Sequence, residues 1–432
     1  MTDPTRTGPA DGAPTIDVVG LIDVDRVVAD LVTMVGIPSV NPFAGPASPT
    51  AREHELAAWY AAALTELGFD VHVDEVVPGR PNVVGRLRGT GGGASVLLAG
   101  HLDTVGVHDY DTAFDATVAD GRVHGRGSCD MKAALAAYLE VARVLARSGT
   151  RLAGDLVIAG LCDEEHTMIG SRRLGDGTPL ADAAIIGEPS NLDVCPAHKG
   201  QVCVIVRTHG RAVHSSRPEL GRNAIVDMAT VIGRLDAYAA ELSAREPHPL
   251  CGHARVTAAV ISGGTIASTV PDRCELEIDR RTLPGETPEQ VLTELAALLD
   301  PLVAADPGFR YELVGPTLVC DPLDTPVDAP VVVALLDAVG GRSATAFPAA
   351  TDAPNLGISA VVCGPGRLED RRHGDRLEDA GSPRRRAEEG AVPGDKQPRR
   401  RAIQGEIVGR GEDDVVGAAP PGLAGRGDVD DV

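Results

Sequence analysis

Aromatic residues are scarce in this sequence, where they make up 3% of 432 residues. A core built on large rings is therefore excluded, and the 43% of hydrophobic residues must form it mainly from Ala, Val and Leu. Glycine contributes 50 residues and proline 32, so many tight turns are expected. The length exceeds what one hydrophobic core normally holds, which predicts two domains.

The sequence also lacks an excess of positive charge and any long apolar run. Its formal net charge of -22 repels a phosphate backbone, so we expect no nucleic-acid partner. No run of about 20 apolar residues is present, and residues 1–15 are polar and contain proline, unlike a secretion signal. We expect a soluble, cytoplasmic protein that does not bind a membrane.

Paired cysteines are lacking as well. The eight cysteines are scattered, and no two of them form a Cys-x-x-Cys motif, so neither a zinc ribbon nor a disulfide framework is indicated. Cys129 and Cys162 lie close to acidic residues, but no cysteine and histidine arrangement indicates a nucleophile. We expect most of the thiols to be buried.

Helix and strand patterns alternate in the first part of the chain. Helices are predicted over 51–67 and 131–147, and short strands over 71–77, 82–87, 96–99, 155–161 and 183–186. This alternation predicts an α/β fold. We assign residues 16–195 to the first part of a catalytic domain.

A self-contained unit with a different order of elements follows over 196–315. Strands are predicted over 202–208, 254–261, 273–280 and 309–314, with helices over 223–242 and 288–299. The order β-α-β-β-α-β is that of a ferredoxin-like fold, which can be inserted into a host domain. The host resumes over 316–366. Residues 367–432 lack an apolar period, which predicts a divergent, disordered tail.

Residues that can bind metals lie where apolar runs end. His101 and Asp103 follow the run at 96–99, and Asp130 lies in a glycine-rich turn before the second predicted helix. Ligands bind at the carboxyl ends of strands in open α/β sheets, so His101 can bind a metal while Asp103 fixes its tautomer. Alternatives stay open, because His101 can be an ordinary turn residue and Ser128 or Asp130 can cap the helix.

Three consecutive carboxylates, Asp163, Glu164 and Glu165, follow the next predicted strand, and Glu188 follows the one after it. Crowded carboxylates are costly unless a cation or a shared proton compensates them. Adjacent Glu164 and Glu165 face different ways, so one can bind a metal while the other accepts a proton from water. The alternatives are a solvated acidic loop and, for Glu188, a surface turn. Together the four strand ends predict a hydrolytic metal centre.

Six segments carry a family resemblance: GHLDTV, GRGSCDMK, DEEHTMIGS, GEPS, GRAVHSSRPELGRNA and GGTIASTVPDRCELEIDRRTLPGE. They resemble the M20 metallopeptidases, specifically the branch of acetylornithine deacetylases and succinyl-diaminopimelate desuccinylases, over about 96–366. The resemblance implies an α/β zinc-hydrolase fold, with a mixed sheet flanked by helices and an inserted ferredoxin-like (βαββαβ) dimerisation domain.

The resemblance also implies two Zn²⁺ ions per subunit, with Co²⁺ or Mn²⁺ as alternatives. His101 and Glu188 would hold one ion and Glu165 the other, and Asp130 would bridge them. Glu164 would be the general base.

Three further residues take roles from the same resemblance. Asp103 would orient the metal-binding histidine. A homodimer is expected, in which His214 enters the partner's site and polarises the developing oxyanion; an exposed loop histidine is the alternative. Arg280 would bind the substrate carboxylate, whereas Arg281 beside it is interpreted as a surface charge.

The sequence departs from the family after Gly366. Members of the family have a loop there whose histidine completes the second ion site, followed by a final helix. Here His373 lies near the expected place without the usual neighbours. We hypothesise that the reading frame slips just past Gly366, which would weaken metal binding and activity. Reading the gene in its other frames tests this hypothesis.

The expected reaction is metal-dependent hydrolysis of the amide bond of an N-acyl amino acid, of the deacetylase or desuccinylase type. A carboxypeptidase or dipeptidase of the same family, acting on a small peptide, is an alternative, because the motifs specify the metal chemistry more tightly than the leaving group. An inactive chain that binds metal poorly is another.

Overall fold

The computed structural model describes residues 19–43, 45, 48–107, 110–372 and 376–378. In these residues no helix is both long and apolar enough to cross a membrane. Seven α-helices are present among them: α1 Val24–Val35, α2 Glu53–Glu66, α3 Ala133–Ser148, α4 Ile169–Gly175, α5 Ala224–Ala244, α6 Pro288–Ala305 and α7 Pro330–Ala338.

The strands of the described residues form four sheets. They are β1 Asp70–Val77, β2 Arg80–Leu87, β3 Val96–His101, β4 Thr117–Ala119, β5 Arg122–His124, β6 Leu156–Leu161, β7 Ala183–Ile186, β8 Ala197–His198, β9 Gly200–His209, β10 Arg255–Gly263, β11 Arg273–Thr282, β12 Tyr311–Cys320, β13 Leu323–Asp324, β14 Ala346–Phe347, β15 Ser359–Val362 and β16 Arg376–Glu378.

The largest sheet has six strands in the order β1-β2-β6-β3-β7-β15. Strands β6, β3, β7 and β15 run parallel, whereas β1 and β2 pair antiparallel with each other and β2 pairs antiparallel with β6. The central strands are buried on both faces, which explains their continuous apolar sequences. This confirms the predicted mixed α/β sheet.

Helices α1, α2 and α3 share a hydrophobic core with one face of this sheet. Leu31, Leu56, Leu135 and Ile158, from three helices and β6, are at most 1% exposed within it. Burying each such side chain contributes about 1.5–3 kcal/mol. The packing fixes the start of α3 against the sheet.

A second, antiparallel sheet of four strands has the order β10-β11-β9-β12. Its elements follow the chain order β9, α5, β10, β11, α6, β12, as predicted for the ferredoxin-like unit. Helices α5 and α6 cover one face through a shared core. The predicted boundary at 315 falls inside β12, because this strand pairs with β9 on both sides of a bulge and ends at Cys320.

The start of α3 differs from the sequence expectation. The helix begins at Ala133, because residues Ser128–Lys132 form a separate π-helical turn in which Asp130 has extended backbone angles, with φ -120° and ψ 97°. Lys132 occupies the N-cap position of α3. Neither Ser128 nor Asp130 is therefore its cap, and Asp130 is displaced from the helix toward the sheet.

Part of the predicted disordered tail has regular structure. Residues Leu368–Arg372 form a 3-10 helix, and β16 pairs antiparallel with β5. The expectation of disorder is therefore wrong for these residues. The predicted ligand His373 and residues 379–432 lie outside the described residues.

Candidate metal centre

Five side chains that can bind a metal or a proton meet at one edge of the six-stranded sheet. His101 ends β3, Glu164 and Glu165 lie in the loop after β6, and Glu188 closely follows β7. These three strands run parallel, so their carboxyl ends lie together. Asp130 reaches the same place from the turn before α3.

The imidazole of His101 lies close to the carboxylates of the cluster and belongs to both groups of candidate ligands. Its Nε2 lies 3.0 Å from Asp130 Oδ1, 3.6 Å from Glu188 Oε1 and 3.9 Å from Glu164 Oε2. Two sets of ligand atoms each lie within 4.8 Å of one another: His101 with Asp130 and Glu165, and His101 with Glu164 and Glu188. The structure thus brings the four predicted metal ligands and the predicted base together.

The grouping differs from the arrangement that the family resemblance implies. That arrangement makes Asp130 the ligand common to two ions, whereas His101 belongs to both groups in the structure. Glu164, expected to act as the base, also lies within one group. The division of ligands between two ions stays a prediction.

Burial and mutual repulsion dominate the electrostatics of this cluster. Burial and the carboxylate of Glu188 hold the pKa of Glu164 well above its usual range. Burial disfavours the protonated imidazole of His101, but its hydrogen bond with Asp130 and the charge of Glu188 outweigh this effect and raise its pKa. A divalent cation relieves the repulsion between the carboxylates. The buried oxygen and nitrogen donors therefore fit a divalent metal ion.

Two glycines permit the close approach of these elements. A Cβ atom on Gly100 would lie 2.1 Å from Cε of Met131, and one on Gly187 would lie 2.4 Å from Cβ of Ala134. A side chain at Gly187 would push the start of α3 away from β7, whereas one at Gly100 would displace the flexible end of the Met131 side chain. The two glycines therefore leave room for the turn that carries Asp130 beside the strand ends.

The carboxylate of Asp103 holds the loop that carries the glutamates. It is fully buried and accepts hydrogen bonds from the main-chain N–H groups of Glu164 and Glu165, both at 3.1 Å. The Nδ1–H of His101 donates to the main-chain oxygen of Asp103 at 2.8 Å, whereas the nearest carboxylate oxygen is 3.6 Å away. Asp103 thus orients His101 through its main chain, which differs from the predicted carboxylate contact.

Arg80 and Asn41 complete this support, although no local sequence pattern points to either. Arg80 Nε lies 2.6 Å from Glu53 Oε2, and the guanidinium also pairs with Asp163. Asn41 donates to Asp103 at 2.7 Å and to Asp163 at 3.0 Å. Asp163 has a φ of 69°, a region that residues other than glycine rarely occupy. These contacts therefore hold the turn that leads into the two glutamates.

Replacing Arg80 with methionine should lower the free energy of unfolding by about 3–5 kcal/mol, because buried Glu53 and Asp163 lose the cation that compensates them. Urea unfolding monitored by circular dichroism measures the change. Arg88→Met is the matched control, since the Arg88 side chain is 73% exposed and pairs with Asp155 at the surface; its loss should change stability by less than about 1 kcal/mol. Equal effects of the two substitutions would contradict a supporting role for Arg80.

The structure contradicts the prediction that Arg280 binds substrate. Its side chain is fully buried, and it donates to the hydroxyl of Tyr238 at 3.2 Å and to Glu286 at 2.8 Å. Side chains alternate along β11, so Arg280 falls on the face that α5 and α6 cover, and Arg281 falls on the opposite face. Arg281 lines the cleft together with Glu164.

This cleft has a volume of about 700 Å³, a size typical of sites for small molecules. Glu164, Glu165 and His166 lie on the side of the six-stranded sheet. Strands of the four-stranded sheet contribute the facing residues Gln201, Arg281, Leu318 and Cys320. Arg281 is the single lysine or arginine among the described residues that line the cleft.

His214 lies on an exposed loop that follows β9. Its Nδ1 bonds with the hydroxyl of Ser216 at 2.8 Å, and its main chain pairs with Thr269. It is not among the described residues that line the cleft of its own chain. Its expected contribution to a partner's site stays a prediction.

The cysteines agree with the absence of a disulfide pattern. None of the eight forms a disulfide bond, and six of them are buried. Burial raises the pKa of Cys162, which lies near the glutamate loop, so this thiol is a poor nucleophile near neutral pH.

The sequence matches the family model described as peptidase family M20/M25/M40 over residues 97–380. The match continues past Gly366, so the expectation that the resemblance ends there is wrong. The chain is similar to the acetylornithine deacetylase of Vibrio vulnificus (strain CMCP6), with 34% identity over 338 residues that cover 75% of this chain and 85% of that protein. It is 37% identical over 263 residues to the acetylornithine deacetylase of Salmonella arizonae, which covers 58% of this chain and 64% of that protein.

Solved structures show the same fold. A tripeptidase from Staphylococcus aureus has a TM-score of 0.69 at 21% identity, with 84% of this chain and 95% of that chain covered. A metallo-carboxypeptidase from Sulfolobus solfataricus has a TM-score of 0.64 at 18% identity, with 83% and 96% covered. At these identities the likeness extends to the fold alone.

Proposed function

This chain belongs to the peptidase family M20/M25/M40 and is a metal-dependent amidohydrolase or peptidase; from that membership we propose that it hydrolyses the amide bond of an N-acyl amino acid. One observation carries the proposal: His101, Asp130, Glu164 and Glu188 converge with their ligand atoms beside a cleft that contains Arg281. Such a site can bind a metal, place a general base beside it and hold a carboxylate of the substrate through Arg281. The acetylornithine deacetylases among the relatives favour the N-acyl substrate.

We assign two Zn²⁺ ions to the cluster, with Co²⁺ or Mn²⁺ as alternatives. His101 and Glu188 would hold one ion and Glu165 the other, with Asp130 shared. These imidazole and carboxylate donors suit zinc. When bound, such ions polarise the amide carbonyl and increase the acidity of water at neutral pH.

Glu164 is the proposed general base. Its carboxylate accepts a proton as the hydroxyl of water adds to the amide carbon, and it returns this proton to the nitrogen when the carbon–nitrogen bond breaks. The products are a carboxylic acid, which ionises to the carboxylate near neutral pH, and a free amine. Arg281 binds a carboxylate of the substrate, because its planar guanidinium lies across the cleft from the glutamates.

We further propose a homodimer formed through the inserted four-stranded unit. Strand β10 is an edge strand, and Val260 and Ile261 on it are 57% and 53% exposed. Ile266 and Val226 nearby in this unit are 64% and 62% exposed. An unpaired edge with exposed apolar side chains favours pairing with a second copy. In this dimer His214 of one subunit would donate a hydrogen bond to the oxyanion that forms in the other.

Mixed dimers test the role of His214. Glu164→Gln and His214→Ala chains should each be nearly inactive, but an equal mixture should recover about one quarter of the parent activity, because half the dimers are mixed and each has one intact site. The assay is hydrolysis after subunit exchange, with size-exclusion chromatography to verify the dimer. A mixture of Glu164→Gln with Asp130→Asn chains is the control. It should stay inactive, because each site takes both Glu164 and Asp130 from a single chain, so every site contains one of the two substitutions. No recovery in the first mixture would contradict a shared site.

A substrate panel tests the proposed reaction. The zinc-loaded full chain should release free amine from N-acetylornithine or N-succinyl-diaminopimelate faster than from simple dipeptides, measured by amine-reactive fluorescence. The same chain treated with a chelator is the control and should be inactive. Faster hydrolysis of dipeptides would favour a dipeptidase instead.

A further inference from the structure

The glutamate loop, residues 163–168, carries both glutamates of the cluster after β6 and has a left-handed residue at each end. Asp163 has a φ of 69° and Met168 a φ of 57°. Residues other than glycine rarely adopt such angles and keep them only where surrounding contacts hold the backbone in place. Arg80 pairs with Asp163 at the first end. The end at Met168 therefore needs a support of its own.

The hydroxyl of Ser171 provides this support. Ser171 lies in the first turn of α4, is fully buried, and its Oγ lies 3.1 Å from the main-chain oxygen of Met168. The same Oγ accepts a hydrogen bond from Asn355 Nδ2 at 2.9 Å and lies 2.5 Å from Asp352 Oδ1. Asn355 belongs to the 3-10 helix Ala353–Leu356, and Asp352 directly precedes that helix. One hydroxyl thus connects the end of the glutamate loop to a distant segment of the chain.

The three contacts of Ser171 determine where the hydrogen atoms lie. A serine hydroxyl has one hydrogen to donate and two lone pairs that accept. If it donates to the main-chain oxygen of Met168, it accepts from Asn355 and from Asp352, and the last bond needs a hydrogen on the Asp352 carboxyl. An ionised Asp352 would take the serine hydrogen instead. The oxygens of Ser171 and Met168 would then face each other at 3.1 Å without a hydrogen between them. All three contacts are therefore hydrogen bonds only when Asp352 is neutral.

The surroundings of Asp352 also favour its neutral form. The residue is 1% exposed. Burial raises the pKa of Asp352 to about 7, with further contributions from the negative charges of Asp103 and Asp163, even when Ser171 is taken as a donor that lowers it. With the acid as the donor this opposing effect is lost, so the neutral form is favoured further. A neutral Asp352 adds no negative charge to a cluster that is already rich in carboxylates.

We propose that Asp352 is a positioning residue that acts as a neutral carboxylic acid, donating its O–H to Ser171 so that Ser171 holds Met168 at the end of the glutamate loop. The inference rests on the proposed function, because this loop carries the proposed base, Glu164, and a proposed zinc ligand, Glu165. In the described residues Asp352 belongs to neither group of candidate metal ligands. It acts on the two glutamates through the main chain of their loop.

A neutral and an apolar replacement of Asp352 test the role of its proton. Asp352→Asn keeps the shape, carries no charge and can donate an N–H to Ser171, so its zinc affinity should stay within about 3-fold of the parent value. Asp352→Leu cannot donate, and its zinc affinity should fall on the order of 10- to 100-fold, as for other residues that support metal ligands. Competition titration of the full chain against a zinc chelator measures both. An equally large loss in Asp352→Asn, or no loss in Asp352→Leu, would overturn the proposal.

Substitution of the serine tests whether the effect passes through its hydroxyl. Ser171→Ala should reproduce the loss of zinc affinity in Asp352→Leu, and the double variant should lose no more than either single one, because both interrupt the same series of contacts. Thr208→Val is the matched control, since Thr208 is fully buried and donates to Ala224 O at 2.8 Å within the four-stranded unit. It should lower stability to urea without changing zinc affinity. Additive losses in the double variant, or an equal loss in the control, would contradict the proposal.

Hydrogen exchange of the metal-free chain follows the loop directly. The main-chain N–H groups of Glu164 and Glu165 donate to the carboxylate of Asp103, so their exchange reports on the position of the loop. Exchange at these two amides should be on the order of 10-fold faster in Asp352→Leu and Ser171→Ala, and unchanged in Asp352→Asn and Thr208→Val. Equal protection in all four variants would contradict a positioning role.

Infrared spectroscopy tests the protonation state and separates this inference from the proposed function. The difference spectrum of the metal-free parent and Asp352→Asn, taken at about pH 6, should show the C=O stretch of a carboxylic acid, whereas an ordinary aspartate is ionised there. Carboxylate bands instead would overturn the inference, even for a chain that hydrolyses an N-acyl amino acid. A carboxylic acid band together with the expected exchange pattern would retain it, even if no amide is hydrolysed.

Discussion

Replacing Glu164 with glutamine lowers kcat by about 10²–10⁴-fold, which is the usual contribution of a positioned acid–base group. Glutamine retains the length of the side chain but cannot accept a proton near neutral pH. Glu164 Oε2 lies 3.9 Å from His101 Nε2 and faces the cleft, so no other change is expected in the shape of the site. Steady-state kinetics of the zinc-loaded variant on the best N-acyl substrate measure the loss.

The adjacent glutamate supplies the control for this prediction. Glu165→Gln should weaken zinc binding, because Glu165 is the proposed ligand, whereas Glu164→Gln should leave the zinc stoichiometry unchanged. Both are followed by isothermal titration of the metal-free chains. The comparison is needed because Glu164 also lies in one of the candidate ligand groups, so it could bind a metal instead of acting as the base. Loss of zinc from Glu164→Gln would show that Glu164 is a ligand and not the base.

The sequence predicts the candidate site well because the strands that carry it are locally encoded. Apolar runs that end at His101, before Asp163 and before Glu188 predict buried strands, and parallel strands bring their carboxyl ends together. The order of elements in the inserted unit follows from local periodicity in the same way. Neither inference needs contacts between distant parts of the chain.

Local alternation of side chains also predicts that Arg281, and not Arg280, lies on the open side of β11. Cys274, Leu276 and Ile278 occupy alternate positions of β11 and form part of the buried core. Period-two alternation extends that face to Arg280 and assigns Arg281 to the open side. The family resemblance of the Asp-Arg-Arg segment indicated Arg280 as the substrate ligand, whereas this alternation indicates Arg281.

The support around Asp103 depends on distant contacts that no local pattern encodes. Arg80 reaches Asp163 across 83 positions of the sequence, and Asn41 reaches Asp103 across 62. The extension of the Asp130 turn through Met131 and Lys132 was also not predicted, because both residues have good helix propensity but lie in the turn that precedes α3. Tertiary packing determines both features.

Replacing Asp130 with asparagine weakens zinc binding by more than the 10- to 100-fold that loss of a residue supporting a metal ligand typically causes. Asparagine keeps the shape but removes the negative charge and one anionic donor. Asp130 Oδ1 lies 3.0 Å from His101 Nε2, so the loss falls at the centre of the cluster. Hydrolysis should fall in parallel. Competition titration against a zinc chelator measures the affinity, and Asp236→Asn, an exposed carboxylate on α5, is the control.

The stoichiometry of this variant distinguishes the two arrangements of the ligands. If Asp130 bridges two ions, Asp130→Asn weakens both binding steps, because each ion loses a shared donor. If Asp130 serves the group with Glu165 alone, one ion is retained by His101, Glu164 and Glu188, and His101→Gln then weakens both steps instead. Titration of the two variants side by side gives opposite patterns in these cases. Unchanged affinity in both variants would contradict a metal centre at this edge of the sheet.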